Sequence, residues 1–476
     1  MSTAYETVIG LEVHVQLLTE EKLFCSDKAE FGASPNTRVC PVCLGLPGAL
    51  PVLNGQAVDL ALRAALALGC DVQESSGFAR KNYFYPDLPK GYQITQFELP
   101  LATGGALTVA TEKGERTVRV RRIHMEEDAG KMLHDRVPDQ TAVDLNRAGV
   151  PLVEIVTEPD LRTPTEARSF LVVLKQILGY VGASDCNMEE GSLRVDANVS
   201  IRPIGATEPG TKTEVKNLNS FSAVAKAIAG EVERQEALLS AGEPVIQQTL
   251  LWDGAVGMVR PMRSKEESHD YRYFPEPDLP PLTLDRARIE DVRASLPELP
   301  AARRRRFVEQ YGLPDYDAGV LTASRTTAEF FEALAEVATD AKAASNWVMG
   351  PLMELANQRG GTVAELPFTP EEVAEVLALV ADGTISHRSG KDVLALIAES
   401  DRRAAEIVES EGIAQVVDQG LLDAWIDEVV GAHPEEVQRY RAGEVKVLGF
   451  LVGRVMRASQ GRADPKRVDL LLKTRL

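Results

Sequence analysis

The sequence lacks several features that would assign it to a common class of protein. Its 476 residues include only five cysteines, an odd and sparse set that argues against a disulfide framework and predicts a reducing, cytoplasmic location. No apolar run is long enough to cross a membrane, and no signal pattern opens the sequence. A Walker-type phosphate loop is missing too, because Asp392 follows Gly390 and Lys391. If the chain uses ATP, it does so without such a loop.

Positive charge is also scarce in the chain as a whole. Lys and Arg number 52 against 71 acidic residues, which gives a net charge of -19. This balance argues against a general nucleic-acid coat, although an average can hide a local basic surface. Apolar residues make up 44% of the chain and charged residues 26%. Both values are typical of a globular protein, and the length predicts two to four domains.

The last segment departs from this acidity. From Gln438 to Leu476 there are ten basic and three acidic residues, a local charge of about +7. A basic helical tail on an acidic protein suits the binding of a polyanion. A solvated helix face is the alternative reading of the same pattern.

Strict alternation near the N-terminus predicts a half-buried strand in ETVIGLEVHVQL, residues 6–17. Apolar side chains fall on every second position from Leu11, so Glu12 and His14 share the other face, about 7 Å apart. A carboxylate beside an imidazole can bind a divalent metal or act in acid–base chemistry. Taken alone, this pair is better explained as a solvated strand face.

Further polar faces follow along the chain. A strand over residues 117–122 is predicted to lead into a loop, HMEEDAGK, that contains Glu126 and Glu127. Later apolar strands carry the polar residues Glu154, Arg194, Asp196, Glu214 and Lys216, and Glu190 directly precedes one of them. Several acidic strand faces with basic residues among them predict a cleft that binds Mg²⁺ or Mn²⁺ with the phosphates of a nucleotide. A wet sheet surface is the alternative.

Two loops carry candidate ligands of other kinds. Cys40 and Cys43 form a C-x2-C knuckle with Cys25 upstream, and Asp27 can supply the fourth ligand of a zinc site. Buried free thiols are the alternative, and in either case the role is structural. The loop that begins ARKNYFYPDLPKGY combines basic and aromatic residues, a combination that can stack a base and hold phosphates.

The order of these segments predicts an α+β protein. A sheet domain with mixed or antiparallel strands occupies residues 1–292 and ends after a proline-rich run. A helical domain is predicted over residues 293–405, where Ala, Leu, Glu and Arg recur at helical spacing. The basic helical tail then forms residues 406–476.

Long motifs now resemble one family, the B subunit of the bacterial aspartyl/glutamyl-tRNA amidotransferase. The resemblance is carried by ETVIGLEVHVQL, RKNYFYPDLPKGYQITQ, VDLNRAGVPLVEIV, MEEGSLRVDANVS, DYRYFPEPDLPP and the C-terminal GFLVGRVMRASQGRADPKRVDLLLKTRL, and it covers nearly the whole chain. It implies a glutamine-synthetase-like catalytic sheet that uses ATP and Mg²⁺ to phosphorylate the side-chain carboxyl of Glu-tRNA(Gln) or Asp-tRNA(Asn). It also implies a glutaminase A subunit that supplies ammonia and a small C subunit that joins A to B.

The resemblance assigns roles to individual residues. The metal-binding residues of the family correspond here to Glu12, His14, one or both of Glu126 and Glu127, Glu154, Glu190 and Glu214. Five of these acids (Glu12, Glu126, Glu127, Glu190 and Glu214) are also expected to be catalytic, as is Lys216, which strand parity adds. Substrate or nucleotide contacts are expected from Arg80, Lys81 and Tyr83, with Arg194 and Asp196 added from strand parity. Contacts to tRNA are expected from Arg454, Arg457, Arg462, Lys466 and Arg467. Many relatives have Cys-Gly-Cys where this chain has Cys25-Ser26-Asp27, a departure that bears on the zinc site.

Two other functions compete with this interpretation. One is a structural RNA-binding subunit with no chemistry, against which the acidic strand faces argue, because undirected carboxylates repel RNA. The other is a free-standing amide ligase acting on a small amino acid, against which the basic tail argues.

Overall fold

The computed structural model describes residues 5–137, 139–262, 271–400, 402–414, 419–459 and 461–476. It divides into two compact units, one ending at Pro300 and the other beginning at Ala301. The first unit contains all the strands of the described chain, and the second is helical.

The strands of the first unit are numbered in chain order. They are β1 Tyr5–Gln16, β2 Asp71–Val72, β3 Ser75–Ser76, β4 Phe78–Asn82, β5 Tyr92–Gln96, β6 Ala102–Thr103, β7 Ala106–Thr111, β8 Gly114–Glu127, β9 Lys131–Val137, β10 Gln140–Asp144, β11 Pro151–Thr157, β12 Leu193–Pro203, β13 Thr213–Leu218, β14 Thr249–Asp253, β15 Met258–Pro261, β16 Phe274–Pro275 and β17 Leu282–Thr283. The helices of this unit are α1 Gly55–Ala67, α2 Pro164–Tyr180, α3 Phe221–Ser240 and α4 Arg286–Ala294.

One large sheet organises the first unit. Among the described residues it has thirteen strands, ten of which lie side by side in the order β15, β14, β13, β12, β1, β11, β8, β5, β4 and β16. Neighbours in this order are antiparallel except β13 and β14, which are parallel. The strand β1 lies near the middle, between β12 and β11. The predicted class, α+β with a mixed sheet followed by helices, is confirmed at this level.

The alternation in β1 separates the two faces of the sheet. Leu11, Val13 and Val15 are buried in the main apolar core, whereas Glu12 and His14 are partly exposed on the opposite face. The core face is covered by α1, α2 and α3, whose apolar sides join the same cluster. Caps fix where these helices begin, because the side chains of Asn54, Thr163 and Ser220 accept hydrogen bonds from their first turns. The opposite, polar face of the sheet is available for a functional site.

One predicted boundary was wrong. The strand expected over residues 117–122 extends from Gly114 to Glu127, so Glu126 and Glu127 lie within β8 and not in a following loop. Pairing with β11 continues along this end, from Arg122 to Glu127. These backbone hydrogen bonds to a central strand outweigh the low strand propensity of two adjacent glutamates.

The second unit consists of helices. They are α5 Pro300–Tyr311, α6 Asp315–Leu321, α7 Arg325–Val337, α8 Ala341–Trp347, α9 Met353–Gln358, α10 Pro370–Ala381, α11 His387–Ile397, α12 Ala404–Ser410, α13 Gln419–Ala432, α14 Pro434–Arg441, α15 Val447–Ala458 and α16 Pro465–Arg475, with a π-helical turn at Val348–Leu352 and a 3₁₀ turn at Val363–Glu365. The π turn contains Pro351, which lacks the N–H that an α-helix needs at that position.

Two apolar clusters fill this second unit. One is built from buried residues between Phe307 and Val408, and the other from buried residues between Leu422 and Leu472. The division of the chain at residues 292 and 405 stays a prediction. Of the helices in the described ranges, none combines the length and apolarity that a membrane crossing requires.

Candidate active site

Four polar side chains lie in one row across four neighbouring strands of the sheet. Arg194 of β12 is opposite His14 of β1, His14 is opposite Glu154 of β11, and Glu154 is opposite His124 of β8. Side chains directly opposite one another on antiparallel strands are about 5 Å apart at Cβ. Strand register therefore brings together residues that are up to 180 positions apart in the sequence.

A carboxylate–imidazole cluster of His14, Glu126 and Glu154 forms the centre of this face. His14 Nε2 lies 3.7 Å from Glu126 Oε1 and 4.0 Å from Glu154 Oε2. One ligand atom from each of the three residues falls within 4.8 Å of the others. Two carboxylates and one imidazole at this separation fit the hard divalent cations Mg²⁺ and Mn²⁺. Of the predicted metal-binding residues, the structure brings these three closest together.

The two carboxylates of the cluster have opposite electrostatic settings. Burial raises the pKa of Glu126, an effect that the charge of His14 only partly offsets. Burial also acts on Glu154, but contact with His124 and the charge of His14 overcome it and lower its pKa to about 2. A site without a bound cation therefore holds one firmly ionised carboxylate and one that resists ionisation. A divalent cation would favour the ionised form of both.

A second group of charges lies on the neighbouring strands. Lys216 Nζ is 2.5 Å from Asp196 Oδ2 and 3.0 Å from Glu214 Oε1. Asn198 Nδ2 donates to Glu12 Oε1 at 2.9 Å, and Glu12 is opposite Asp196 in the register of β1 and β12. The structure thus places Glu12, Asp196, Glu214 and Lys216 together on the same open face.

Arg194 has a specific partner on this face. Its Nη2 lies 2.8 Å from Oδ2 of Asp128, and Gln16 Nε2 donates to the same oxygen at 2.8 Å. Burial alone would raise the pKa of Asp128, but the charge of Arg194, supported by that of Arg147, lowers it below its ordinary value. Asp128 was absent from the predicted site, and its buried pairing holds Arg194 in place.

Two predicted acids lie away from the central cluster. Glu127 is adjacent to Glu126 on β8, so strand alternation points it to the other face. There it forms a buried ion pair with Lys90, and its Oε1 accepts from the backbone N–H of Ile94 at 2.9 Å. Glu190 is exposed in the turn before β12. Neither residue contributes an atom to the 4.8 Å group of His14, Glu126 and Glu154.

Arg80 and Lys81 were predicted to lie in a loop, but they belong to strand β4 and have different partners. Arg80 forms ion pairs with Glu276 at 2.7 Å and Asp278 at 3.0 Å, so its guanidinium is engaged within its own neighbourhood. Lys81 instead lies against aromatic rings, with Nζ 4.8 Å from the ring centre of Tyr271 and 6.0 Å from that of Tyr83. Burial would lower the pKa of Lys81, but the charge of Glu126 raises it. Lys81 therefore brings a stable positive charge close to the cluster.

The cysteine–aspartate cluster comprises Cys25, Asp27, Cys40 and Cys43. All four offer ligand atoms within 4.8 Å of one another, and Cys43 Sγ lies 3.2 Å from Asp27 Oδ2. The backbone N–H of Cys40 points at Cys43 Sγ over 3.1 Å, and the fully buried Lys22 places its Nζ 3.7 Å from the same sulfur. Three thiols and one carboxylate fit a tetrahedral zinc ion. A cavity of about 140 Å³ lined by Cys25, Cys43, Lys90 and Glu127 lies beside the cluster.

The predicted tRNA-binding residues lie at the junction of two helices. Arg454 and Arg457 belong to α15, Arg462 follows it, and Lys466 and Arg467 are in the first turn of α16. Arg457 and Lys466 are exposed, whereas Arg462 lies over the ring of Trp425 at 5.7 Å. Other basic residues of the tail are paired with acids, for example Arg439 with Glu444 and Arg475 with Asp423.

Sequence reasoning assigned no role to His124 and Asp128 on this face of the sheet, nor to Lys90 on the other. His124 and Asp128 share the face of Glu126, because all three have even numbers on the same run of β8 and its continuation. Recognising HMEED as strand would have identified both from parity alone. Lys90 could not be found in this way, since its contact with Glu127 comes from a loop.

The fold and the site together define a class. The molecule is an α+β protein whose candidate active site is an open sheet face that gathers carboxylates, imidazoles and ammonium groups, in place of a phosphate-wrapping loop. Comparison with known families agrees with this description. Residues 7–290 match the model of the GatB/GatE catalytic domain, and residues 329–476 match that of the GatB domain.

Relatives that match over their full length indicate a more specific family. The B subunit of the aspartyl/glutamyl-tRNA(Asn/Gln) amidotransferase of Carboxydothermus hydrogenoformans is 52% identical over 475 residues, 99% of each chain. The protein of the same name from Moorella thermoacetica is 53% identical over 474 residues, 99% of this chain and 100% of the relative. That from Myxococcus xanthus is 50% identical over 472 residues, 99% and 98% of the two chains. The chain therefore belongs to the family of B subunits of aspartyl/glutamyl-tRNA amidotransferases.

Proposed function

We propose that the open sheet face of this chain is where the side-chain carboxyl of Glu-tRNA(Gln) or Asp-tRNA(Asn) is activated and amidated. As a member of the amidotransferase family the chain is part of a ligase, and the reaction converts the mischarged tRNA to Gln-tRNA(Gln) or Asn-tRNA(Asn). The observation that carries the assignment of the site is the convergence of His14, Glu126 and Glu154 within 4.8 Å at the centre of the sheet.

The chemistry has two stages. ATP transfers its terminal phosphoryl group to the side-chain carboxyl, and ADP is released. Ammonia then attacks the acyl phosphate, so that a C–N bond forms, the C–O bond to phosphate breaks, and the departing phosphate takes up the proton that the nitrogen loses. Ammonia comes from glutamine hydrolysed by a glutaminase A subunit, with a small C subunit joining A to B. ATP lies on the sheet face, in the manner of glutamine synthetase.

The residues of the face have separable roles in this scheme. His14, Glu126 and Glu154 would hold Mg²⁺. Glu12 and Glu214 lie on the same face of the sheet, in contact with Asn198 and Lys216. Bound Mg²⁺ supplies charge neutralisation for the phosphates. Lys81 and Lys216 bring fixed ammonium groups that offset negative charge on transferring phosphoryl oxygens. Glu127 and Glu190, although matched to the family's metal-binding residues, have no place in this central group.

Amidation of Glu-tRNA(Gln) tests the proposal directly. The chain, co-purified with its A and C partners, is supplied with ammonium chloride, with and without ATP and Mg²⁺, and Gln-tRNA formation is followed. Product that depends on both ATP and Mg²⁺ is expected. Glu12→Gln or Glu214→Gln should abolish amidation with little change in tRNA affinity, whereas Glu6→Gln, on the same strand but outside the cluster, should leave the rate within a few-fold.

Other outcomes would favour the competing functions. Equal loss of tRNA binding and amidation in Glu12→Gln would favour a binding-only role. Amidation of a free amino acid without tRNA would favour a free-standing ligase. The basic tail supports the tRNA-dependent reaction, and its residues Arg457 and Lys466, which are exposed, would contact phosphates.

A structural zinc ion is proposed at Cys25, Asp27, Cys40 and Cys43. The buried Lys22 supports a site rich in negative charge, because three thiolates and one carboxylate exceed the charge of Zn²⁺ by two. The cluster lies in loops that precede α1, where a cation would hold segments that are otherwise joined by few regular elements.

A further inference from the structure

His124 occupies a place in the site that no predicted role explains. It lies directly opposite Glu154 in the register of β8 and β11, just as His14 does in the register of β1 and β11. Glu154 is therefore flanked by an imidazole on each side, with Oε2 4.0 Å from His14 Nε2 and 3.8 Å from His124 Nδ1. The two imidazoles differ in exposure, since the side chain of His14 is 24% exposed and that of His124 is 3% exposed.

Packing alone does not account for His124. Its Nε2 is buried, and among the residues that the structure describes no group is within hydrogen-bond distance of it. A buried ring nitrogen without a partner costs free energy, because its lost hydration is not replaced. An apolar side chain of similar volume would fill the space without that cost. The imidazole is therefore better explained by its other nitrogen, which faces Glu154.

The Glu154 carboxylate has a weaker restraint from its own contacts than the Glu126 carboxylate has. Glu126 Oε2 accepts from Thr95 Oγ1 at 3.0 Å, a contact that fixes its carboxylate. Among the described residues, the ion-pair contacts of Glu154 are those with the two imidazoles. His14 belongs to the candidate ligand set itself, so its ring nitrogen would turn to the cation. His124 is then left as the group able to restrain the Glu154 carboxylate.

We propose that His124 is a positioning residue, whose Nδ1–H restrains the rotation of the Glu154 carboxylate and so presents it to the divalent cation. The inference rests on the proposed cation site of His14, Glu126 and Glu154. Partners of ligating carboxylates typically contribute ten- to a hundredfold to metal affinity. His124 itself does not touch the cation or the substrate.

Two amide substitutions of His124 distinguish the roles of its two ring nitrogens. The amide nitrogen of Asn reaches the position of Nδ1, and that of Gln reaches the position of Nε2. The probe is Mn²⁺ alone, and its affinity for the full chain is measured by electron paramagnetic resonance. Only the bound Mn²⁺ that is lost in the Glu126→Gln variant is counted. His124→Leu is expected to weaken this binding about 10- to 100-fold. His124→Asn should lie within about threefold of the unsubstituted chain, and His124→Gln should resemble His124→Leu.

A second readout separates positioning from general damage. In amidation with ammonium, His124→Leu should raise the Mn²⁺ concentration for half-maximal rate by the same factor as it weakens binding, whereas the rate at saturating Mn²⁺ should change less. A variant that merely loosens the fold would lower both. If His124→Leu fails to fold, the comparison of the Asn and Gln variants still decides the matter.

The outcomes distinguish this inference from the proposed site. If Glu126→Gln removes bound Mn²⁺ but His124→Leu and His124→Gln bind it as tightly as the unsubstituted chain, the role of His124 is refuted and the cation site stands. Normal Mn²⁺ affinity in His124→Gln but not in His124→Asn would refute the role as well, because the contact would then be made by Nε2. If no bound Mn²⁺ responds to Glu126→Gln, both the site and the inference fall.

Discussion

Two regions of the first unit gather side chains that could bind a metal ion, and they do so by different means. The carboxylate–imidazole cluster of His14, Glu126 and Glu154 comes from three neighbouring strands, each donating a residue at a fixed register. The cysteine–aspartate cluster comes from loops between β1 and α1, where local turns bring Cys25, Asp27, Cys40 and Cys43 together. The first has hard oxygen and nitrogen donors, and the second has mostly soft sulfur.

The difference concerns what holds each cluster in place without a cation. Backbone hydrogen bonds of the central sheet fix the first, so its geometry does not depend on the ligand. The second rests on a few local contacts, such as the N–H of Cys40 with Cys43 Sγ at 3.1 Å. We therefore expect loss of the cation to affect reaction rate in the first region and stability in the second. Glu126 and Glu127, adjacent in sequence, face the two regions separately.

The largest effect is expected from Glu126→Gln. It removes a charged ligand from the central cluster and should lower the rate of ammonium-supported amidation by about 10³-fold, since metal-ion catalysis contributes several kcal/mol. The unfolding midpoint should change little, because burial already disfavours the charged form of Glu126. A rate within tenfold of the unsubstituted protein would contradict the assignment.

Glu127→Gln should have the opposite profile. It breaks a buried ion pair with Lys90, which leaves an uncompensated ammonium group and should destabilise the fold by about 3 kcal/mol. Urea unfolding measures this, and the double variant Glu127→Gln with Lys90→Met should recover part of the loss. Mn²⁺ affinity at the central cluster should be unchanged in whatever fraction remains folded. A weakened Mn²⁺ affinity would place Glu127 in the cation site after all.

The pair of Arg194 and Asp128 predicts a dependence on pH. A carboxylate with a lowered pKa contributes stability above the unfolded pKa of about 4 and loses it as the pH falls through the lower folded value. Arg194→Leu should therefore cost about 1–2 kcal/mol at pH 7, a value discounted for the partial exposure of Arg194. The difference from the unsubstituted chain should shrink as the pH falls below about 4.

Urea midpoints measured from pH 7 to pH 3 check this dependence. The matched control is Arg119→Leu, which removes a more exposed pair with Asp160 and should cost less stability at pH 7 than Arg194→Leu does. A difference for Arg194→Leu that stays constant over the whole pH range would mean that Asp128 does not titrate as expected.

Metal content and melting temperature test whether the cysteine–aspartate cluster binds zinc. Asp27→Asn should lower zinc content, whereas Asp27→Cys, which supplies a fourth thiolate, should raise zinc affinity. A chelator should lower the melting temperature by about 5 °C in the unsubstituted chain and by less than this in Asp27→Asn, which has less bound zinc to lose. Cys186→Ser, a buried thiol outside the cluster, should leave zinc content unchanged. A protein without zinc in every variant would favour free thiols.

The smallest effect is expected at the tail, which takes part in neither cluster. The double variant Arg457→Gln with Lys466→Gln should reduce the slope of log affinity for tRNA against log salt by about 2, one for each lost phosphate contact. Mn²⁺ binding and the melting temperature should not change. Lys473→Gln, whose ammonium is already paired with Asp469 at 2.7 Å, is the control and should leave the slope nearly unaltered.

Strand parity in the sequence predicted much of the central site. The alternation in β1 put Glu12 and His14 on one face, and the same logic placed Arg194, Asp196, Glu214 and Lys216; the structure gathers all six on the open face of the sheet. It did not predict that Glu126 and Glu127 separate, because the end of β8 was taken for a loop. The sequence placed Glu190 directly before a strand, and the structure has it there, exposed in a turn and outside the central cluster. The metal-binding and catalytic roles of these residues stay predictions.

By itself, the sequence determined the family, the α+β order of strands followed by helices, the two faces of β1 and the spacing of the cysteines. These properties follow from local pattern, since a period of two fixes the face of a strand and a C-x2-C spacing fixes a turn. Only the tertiary structure decided which residues of different strands share a row, and hence that Glu154 lies between His14 and His124. Register arises from the packing of a whole strand against its neighbours, so no local pattern records it.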